Sequence, residues 1–199
     1  LAVDESFTPR YRTVEGQTFG WDAVLTADAG WFLDDGEGSE TYAGTLRGCG
    51  RSPAPLHLVR VDLASGAVDL TEVSGKPGGI VANPPVIDEA RAMVVGYDTG
   101  NGQVVGFSLA EAGVLERRWE ADLDHGCHPL LFGETGEVLL ADHHPDTGEE
   151  AVVLDVTTGE ELGRVATGSP VQSVLFPAAG FSGDAYLVSF TTLTRLSVA

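Results

Sequence analysis

Three stretches of this chain can be laid over one another: "LVRVDLASGAVDLTEV" from Leu58, "VVGFSLAEAGVLERRW" from Val104 and "VVLDVTTGEELGRVAT" from Val152. Each holds an apolar strand, a turn that ends in glycine, and a second strand. The glycines are Gly66, Gly113 and Gly159, spaced 47 and 46 residues apart. Glycine suits a hairpin whose turn needs positive φ, so its recurrence marks one hairpin repeated along the chain. Such a period restricts the fold strongly, because a unit of this size has to stack on its neighbours to bury its apolar faces.

A second shared pattern lies upstream of each hairpin. "PPVIDEARAMVVGYD" and "HPLLFGETGEVLLAD" both run from proline through an apolar strand and a turn to another apolar strand. Pro85 to Val94 and Pro129 to Val138 are each nine positions. "GWDAVLTADAGWFLDD" and "VQSVLFPAAGFSGDAYLVSF" are looser copies. The unit is therefore four strands of about 45 residues, the period of a β-propeller blade. One segment competes with this assignment: "LAEAGVLERRWEADL" would also make an amphipathic helix through Leu115, Trp119 and Leu123. Gly113 inside it, and its register with the other hairpins, favour strand.

"IVANPPVIDEARAMVVGYDTGNGQVVGFSL" and "VVLDVTTGEELGRVATGSPVQSVLF" resemble blades of the quinoprotein-like, YVTN and NHL group of β-propellers. The resemblance covers residues 56–199 and implies an all-β propeller; counting the repeat units gives about four four-stranded blades, fewer than propellers of that group usually have. Its D-x-x-x-G hairpin marks the fold and is shared by many functions. The expected blades are residues 17–75, 80–123, 126–168 and 170–199, in a single domain 1–199. Residues 7–16, "TPRYRTVEG" among them, are expected to complete the last blade. The chain is then a small closed ring, a fragment, or half of a larger ring completed by a second copy in a homodimer.

Composition removes several classes of function. The 30 acidic and 11 basic residues give a formal net charge of −19, which repels nucleic acid and anionic lipid. No apolar run approaches the roughly 18 residues of a membrane span. The chain opens at Leu1 without a basic-then-apolar leader, which reads as a processed or partial chain. Secretion or a periplasmic location is the expectation.

In a propeller, the connections between blades and the turns between second and third strands emerge on one face. His125, Cys127 and His128, from "DLDHGCHPLLFG", fall on the connection into the third blade. His143, His144 and Asp146 occupy a second-to-third turn. The insertion at 36–55, with Cys49, is the equivalent turn of the first blade, and His57 follows it. This loop-rich face is the candidate functional surface.

Several chemistries fit it. A transition metal needs three or four converging N, S or O ligands, which His125 and His128 with His143 or His144 would supply. No standard zinc spacing is present, and loop histidines that cap strands give the alternative account. "DDGEGSE" and "YDTGNGQ" offer oxygen ligands but depart from the spaced calcium loop. A Cys–His nucleophile would need Cys127 within reach of an imidazole. A Cys49–Cys127 disulfide would preclude it, closing a 78-residue loop worth about 4 kcal/mol. "SGKPGG" at 74–79 lacks the phosphate-loop pattern and reads as a turn between blades. The resemblance also implies the lactonase-like arrangement, with metal held by inward-facing Glu, Asn and Asp; Glu15, Asn83 and Asp124 are the corresponding residue types here. The expected function is a non-catalytic binding or assembly module with a protein or small ligand as partner. The alternative is a propeller oxidoreductase or lactonase-like hydrolase with a metal or cofactor in the central channel.

Overall fold

The computed structural model describes residues 2–3, 9–11, 23–34, 54–80, 83–124, 126, 128–171, 177–181 and 183–197. Their strands form successive antiparallel meanders, each sheet built from strands consecutive in the chain. Blade 1 comprises β3 (Val24–Leu25), β4 (Ala29–Asp34), β5 (His57–Asp62) and β6 (Val68–Glu72). Blade 2 comprises β7 (Val86–Asp88), β8 (Met93–Asp98), β9 (Gln103–Leu109) and β10 (Leu115–Asp122). Blade 3 comprises β11 (Leu130–Phe132), β12 (Glu137–His144), β13 (Gly148–Asp155) and β14 (Glu161–Ala166). Blade 4 has β15 (Ala178–Ala179), β16 (Ala185–Val188) and β17 (Leu193–Leu196), three strands among the described residues. The protein is a four-bladed β-propeller. A two-stranded sheet of β1 (Ala2–Val3) and β2 (Pro9–Tyr11) stands apart from the blades.

The expected completion of the last blade by residues 7–16 falls mostly outside the described residues. The part described, Pro9–Tyr11, pairs with Ala2–Val3, and β17 pairs with β16. The segment that also read as a helix is a single 3-10 turn at Glu111–Gly113 followed by strand β10. Gly113 has a φ of 81°, which closes the turn and lets β10 return along β9.

Alternation along each strand sends side chains to opposite neighbours. Leu33, Leu58, Val94, Val105 and Phe107 fill the seam between blades 1 and 2. Val95, Tyr97, Val104, Val138, Leu140 and Val152 fill the next. The odd-numbered Leu139, Ala141 and Ala151 face Ala185 and Leu187 of blade 4. The middle strands of blade 2 are apolar on both sides because both sides are buried.

The D-x-x-x-G hairpins show why that motif repeats. Asp62 Oδ1 accepts from the Ala64 and Ser65 N–H groups and the Ser65 hydroxyl, and Gly66 N–H donates to the Asp62 carbonyl. Asp155 repeats the arrangement with Thr157, Thr158 and Gly159. The Ser65 hydroxyl and the turn N–H groups hold the Asp62 carboxyl below its ordinary value. At Asp155 burial pulls upward, and the Thr158 and Thr157 N–H groups outweigh it, so its carboxyl is lowered too.

The hairpin glycines also receive a flat side chain from the preceding blade. A Cβ on Gly113 would meet the Arg60 guanidinium, and one on Gly159 would meet the Trp119 ring. Trp119 lies across the seam, donating from Nε1 to the Val156 carbonyl at 3.0 Å. It is paired in register with Gly106, whose missing side chain leaves room for the indole. A β-bulge between Arg117 and Trp119 sets the ring on that side. A methyl group at Gly106 has no space without moving the ring, so Gly106→Ala should lower unfolding stability by about 1–3 kcal/mol. Urea denaturation followed by tryptophan fluorescence measures it, and an unchanged midpoint would contradict this packing.

Candidate functional site

The connections between blades and the second-to-third turns lie together, and one polar device recurs there. The second strand of blade 2 ends in Asp98, which is fully buried. Its Oδ2 accepts from the Ser74 hydroxyl at 2.6 Å and from Asn101 Nδ2 at 2.8 Å. Its Oδ1 accepts from the N–H groups of Asn101 at 3.1 Å and Ile80 at 3.4 Å. Ser74 and Ile80 belong to the connection from blade 1, so Asp98 ties that connection to the blade it enters. Asn101 Nδ2 also lies 3.3 Å from the Pro77 carbonyl, over "SGKPGG", which is a blade connection.

Blade 3 repeats the device with Asp142. Its Oδ1 accepts from the Asp124 N–H at 2.8 Å, and its Oδ2 from Arg164 Nη1 at 2.6 Å. Blade 4 uses a hydroxyl instead: Ser189 accepts from Ser169 Oγ at 2.8 Å. In blade 1 the corresponding residue is Asp34, buried and 3.6 Å from His57 Nδ1. A buried acceptor at or within two residues of the end of the second strand thus pins three successive connections.

His57, beside Asp34, has a perturbed pKa. The Asp34 carboxylate raises its pKa above the ordinary 6.5, with a smaller contribution from Glu72, against the opposing pull of burial. A raised histidine pKa contributes stability that is complete below the unfolded value and is lost as pH rises through the folded value. Wild-type stability should therefore fall above about pH 6.5, and His57→Gln should remove that component. Denaturation midpoints across the neutral range, with an NMR titration of the His57 ring, test the sign.

The histidines singled out by sequence are not all brought together. His128 is buried. His143 and His144 are neighbours on β12, so their side chains leave opposite sides of the sheet. His143 Nε2 lies 3.5 Å from the Pro170 carbonyl, toward blade 4. His144 Nε2 lies 3.8 Å from Asp124 Oδ2, toward blade 2. Among the described residues, no group of three or more His, Cys, Asp or Glu side chains is placed to hold a metal. His125, Cys127, Cys49 and nearly all of the 36–55 insertion lie outside the described residues, as does Glu15. Asn83 is buried and donates through Nδ2 to the Tyr97 carbonyl at 3.1 Å.

Accessible polar groups gather at the seam of blades 2 and 3. A cleft of about 380 Å³ is lined by Asn101, Gly102, Asp122, Leu123, Asp124 and Asp142. Asp142 is committed to Arg164, whereas Asp122 and Asp124 are exposed. Gln103 Nε2 donates to Asp122 Oδ1 at 3.3 Å from the wall behind. Sequence reading missed the pinning acceptors, although "WFLD", "MVVGYD" and "VLLAD" each end an apolar run in aspartate.

No family model matches the sequence, and no curated protein matches it. Solved structures do. A luciferin-regenerating enzyme superposes with a TM-score of 0.53 at 15% identity, covering 83% of this chain and 52% of that one. A protein from Lactobacillus plantarum gives 0.55 at 15% identity, covering 87% and 53%. The acylaminoacyl peptidase of Pyrococcus horikoshii gives 0.52 at 11% identity, covering 90% and 32%. The neighbours are β-propeller proteins. This chain spans about half the length of the first two. Identities this low carry the fold alone, without a particular repeat group or activity.

The pinning device has a measurable weight. Asp98→Ala leaves the Ser74 hydroxyl and the Asn101 and Ile80 N–H groups without their buried acceptor, and should cost about 3 kcal/mol. Asp124→Ala, at an exposed position, should stay within about 0.5 kcal/mol. Thermal or urea unfolding compares the two, and equal losses would remove the distinction.

Proposed function

We propose that this propeller is a non-catalytic binding module whose loop-rich face takes a positively charged partner at the blade 2–3 cleft. The observation that carries the reading is the division of labour among the carboxylates. Asp98 and Asp142 are buried and engaged in holding blade connections. Asp122 and Asp124 are exposed at the cleft, with no cation within ion-pairing distance except the His144 imidazole among the described residues. Carboxylates in this state attract and orient a cation, and among the described residues they have no buried proton-transfer partner of the kind acid–base catalysis uses. The net charge of −19 adds long-range attraction for basic partners and raises their encounter rate.

The reading is tested with an oligolysine peptide as probe. Binding should be salt-sensitive, and the double variant Asp122→Asn, Asp124→Asn should weaken it by about tenfold, corresponding to about 1.4 kcal/mol. A control that removes two exposed carboxylates on the opposite hairpins, Asp69→Asn with Glu160→Gln, changes net charge equally. If both double variants weaken binding alike, the attraction is diffuse and the cleft is no site.

A further inference from the structure

The turn between β8 and β9, within "YDTGNGQ", contains the pair Asn101-Gly102. Asparagine is thermolabile, and a glycine after it leaves the next backbone nitrogen unobstructed on its way to the side-chain amide. The chain holds two asparagines, Asn83 and Asn101. Asn83 precedes Pro84, whose nitrogen has no hydrogen to release on closing such a ring. The chemistry therefore falls to Asn101.

The fold requires both residues of the pair. Gly102 has a φ of 64°, and a Cβ there would run into the Leu123 carbonyl. Asn101 is needed for its amide. Its Nδ2 donates to Asp98 Oδ2 at 2.8 Å and lies 3.3 Å from the Pro77 carbonyl and 3.4 Å from that of Lys76. Three acceptors around one nitrogen fix which end of the amide faces them. The turn is held at other points too. Asn101 N–H donates to Asp98 Oδ1 at 3.1 Å, and Thr99 Oγ1 donates to the Ile80 carbonyl at 3.2 Å. The Gly102 carbonyl accepts from Leu123 N–H at 2.8 Å. While these bonds stand, Asn101 Cγ cannot swing over the Gly102 nitrogen.

We infer that Asn101 is a latent deamidation site, kept intact by its bond to Asp98, whose conversion irreversibly unpins the connection between blades 1 and 2. In the reaction the Gly102 nitrogen bonds to Asn101 Cγ as the Cγ–Nδ2 bond breaks. The displaced nitrogen leaves as ammonia with the Gly102 amide proton, and water opens the cyclic imide to aspartate or isoaspartate. One water is consumed for each ammonia released. The product reverses the polarity of the pin. Where Nδ2 donated, a carboxylate oxygen would face the buried Asp98 carboxylate and two carbonyls. Like charges so close disfavour each other, and the Asp98 acceptor loses a donor. Local opening thus gates a one-way change: the closed turn protects Asn101, and the product cannot close the turn again. Asn101 also lines the blade 2–3 cleft, but this chemistry is independent of what the cleft binds.

Peptide mapping with fragmentation, which localises deamidation to position 101, provides the test in protein incubated at mildly alkaline pH. The native protein should deamidate at least about tenfold more slowly than the chain unfolded in guanidinium chloride. Asp98→Asn keeps the size of the side chain but turns an acceptor into a donor, and should raise the native rate by about tenfold. Gly106→Ala loosens the fold away from the pin and should leave that rate unchanged while the protein is folded. Equal native and unfolded rates overturn the inference. Equal acceleration by Asp98→Asn and Gly106→Ala also overturns it, because global unfolding would then be the gate. Asn101→Asp reproduces the aspartate product without ageing and does not depend on any Asp98 variant folding. It should lower the urea midpoint, and an unchanged midpoint overturns the loss of the pin.

Discussion

Blades 2 and 3 are sheets with two apolar faces, and a sheet of that kind persists only when something covers both. This constraint organises the protein. Even-numbered residues of β12 face blade 2 and odd-numbered ones face blade 4, so one strand serves two seams. The hairpin glycines follow from the same need. Gly113 and Gly159 accept Arg60 and Trp119 from the preceding blade, and any side chain there would hold the sheets apart. Glycine in these turns meets two demands at once: a positive φ, and a flat pad for a neighbour.

Packing alone leaves the sheets free to slide, since apolar contact has no direction. The acceptors that end the second strands supply direction. Asp98, Asp142 and Ser189 each fix a connection to the blade it enters, through hydrogen bonds whose loss would strand buried donors. That blade 4 does this with a hydroxyl shows that geometry, and not charge, is the requirement. In blade 1 the histidine beside Asp34 adds a proton-dependent element to the same position.

The sequence carried the fold more openly than the face. The spacing of Gly66, Gly113 and Gly159 could be read because a turn with positive φ leaves few residue choices, and the structure places all three at third-to-fourth hairpins. Leu115–Asp122 is strand despite its helical periodicity, since the ladder with β9 and the Trp119–Gly106 pair outweigh local pattern. The histidines were harder. Adjacency in "DHHPD" suggests a cluster, yet alternation on β12 sends His143 and His144 toward different blades. An aspartate at the end of an apolar run looks the same in sequence whether it pins a connection or meets a ligand; burial separates Asp98 from Asp124.

The same burial argument orders the acidic residues by what they are free to do. A carboxylate sunk at a strand end is held by several donors, and its charge is spent within the fold. One at the rim keeps its charge for solvent and for partners. With 30 acidic side chains and only 11 basic ones, most carboxylates cannot find an internal cation. Each well-placed arginine therefore serves several acceptors: Arg60 faces three aspartates within blade 1, Arg164 sits among Asp142, Glu150 and Glu161 within blade 3, and Arg91 reaches from blade 2 to the carbonyls of Gly133 and Glu134 in blade 3. At the blade 2–3 cleft the shortage shows directly: among the described residues Asp122 and Asp124 meet no lysine or arginine within ion-pairing distance, so their charge is left to solvent because the nearest arginine, Arg164, is already held by Asp142.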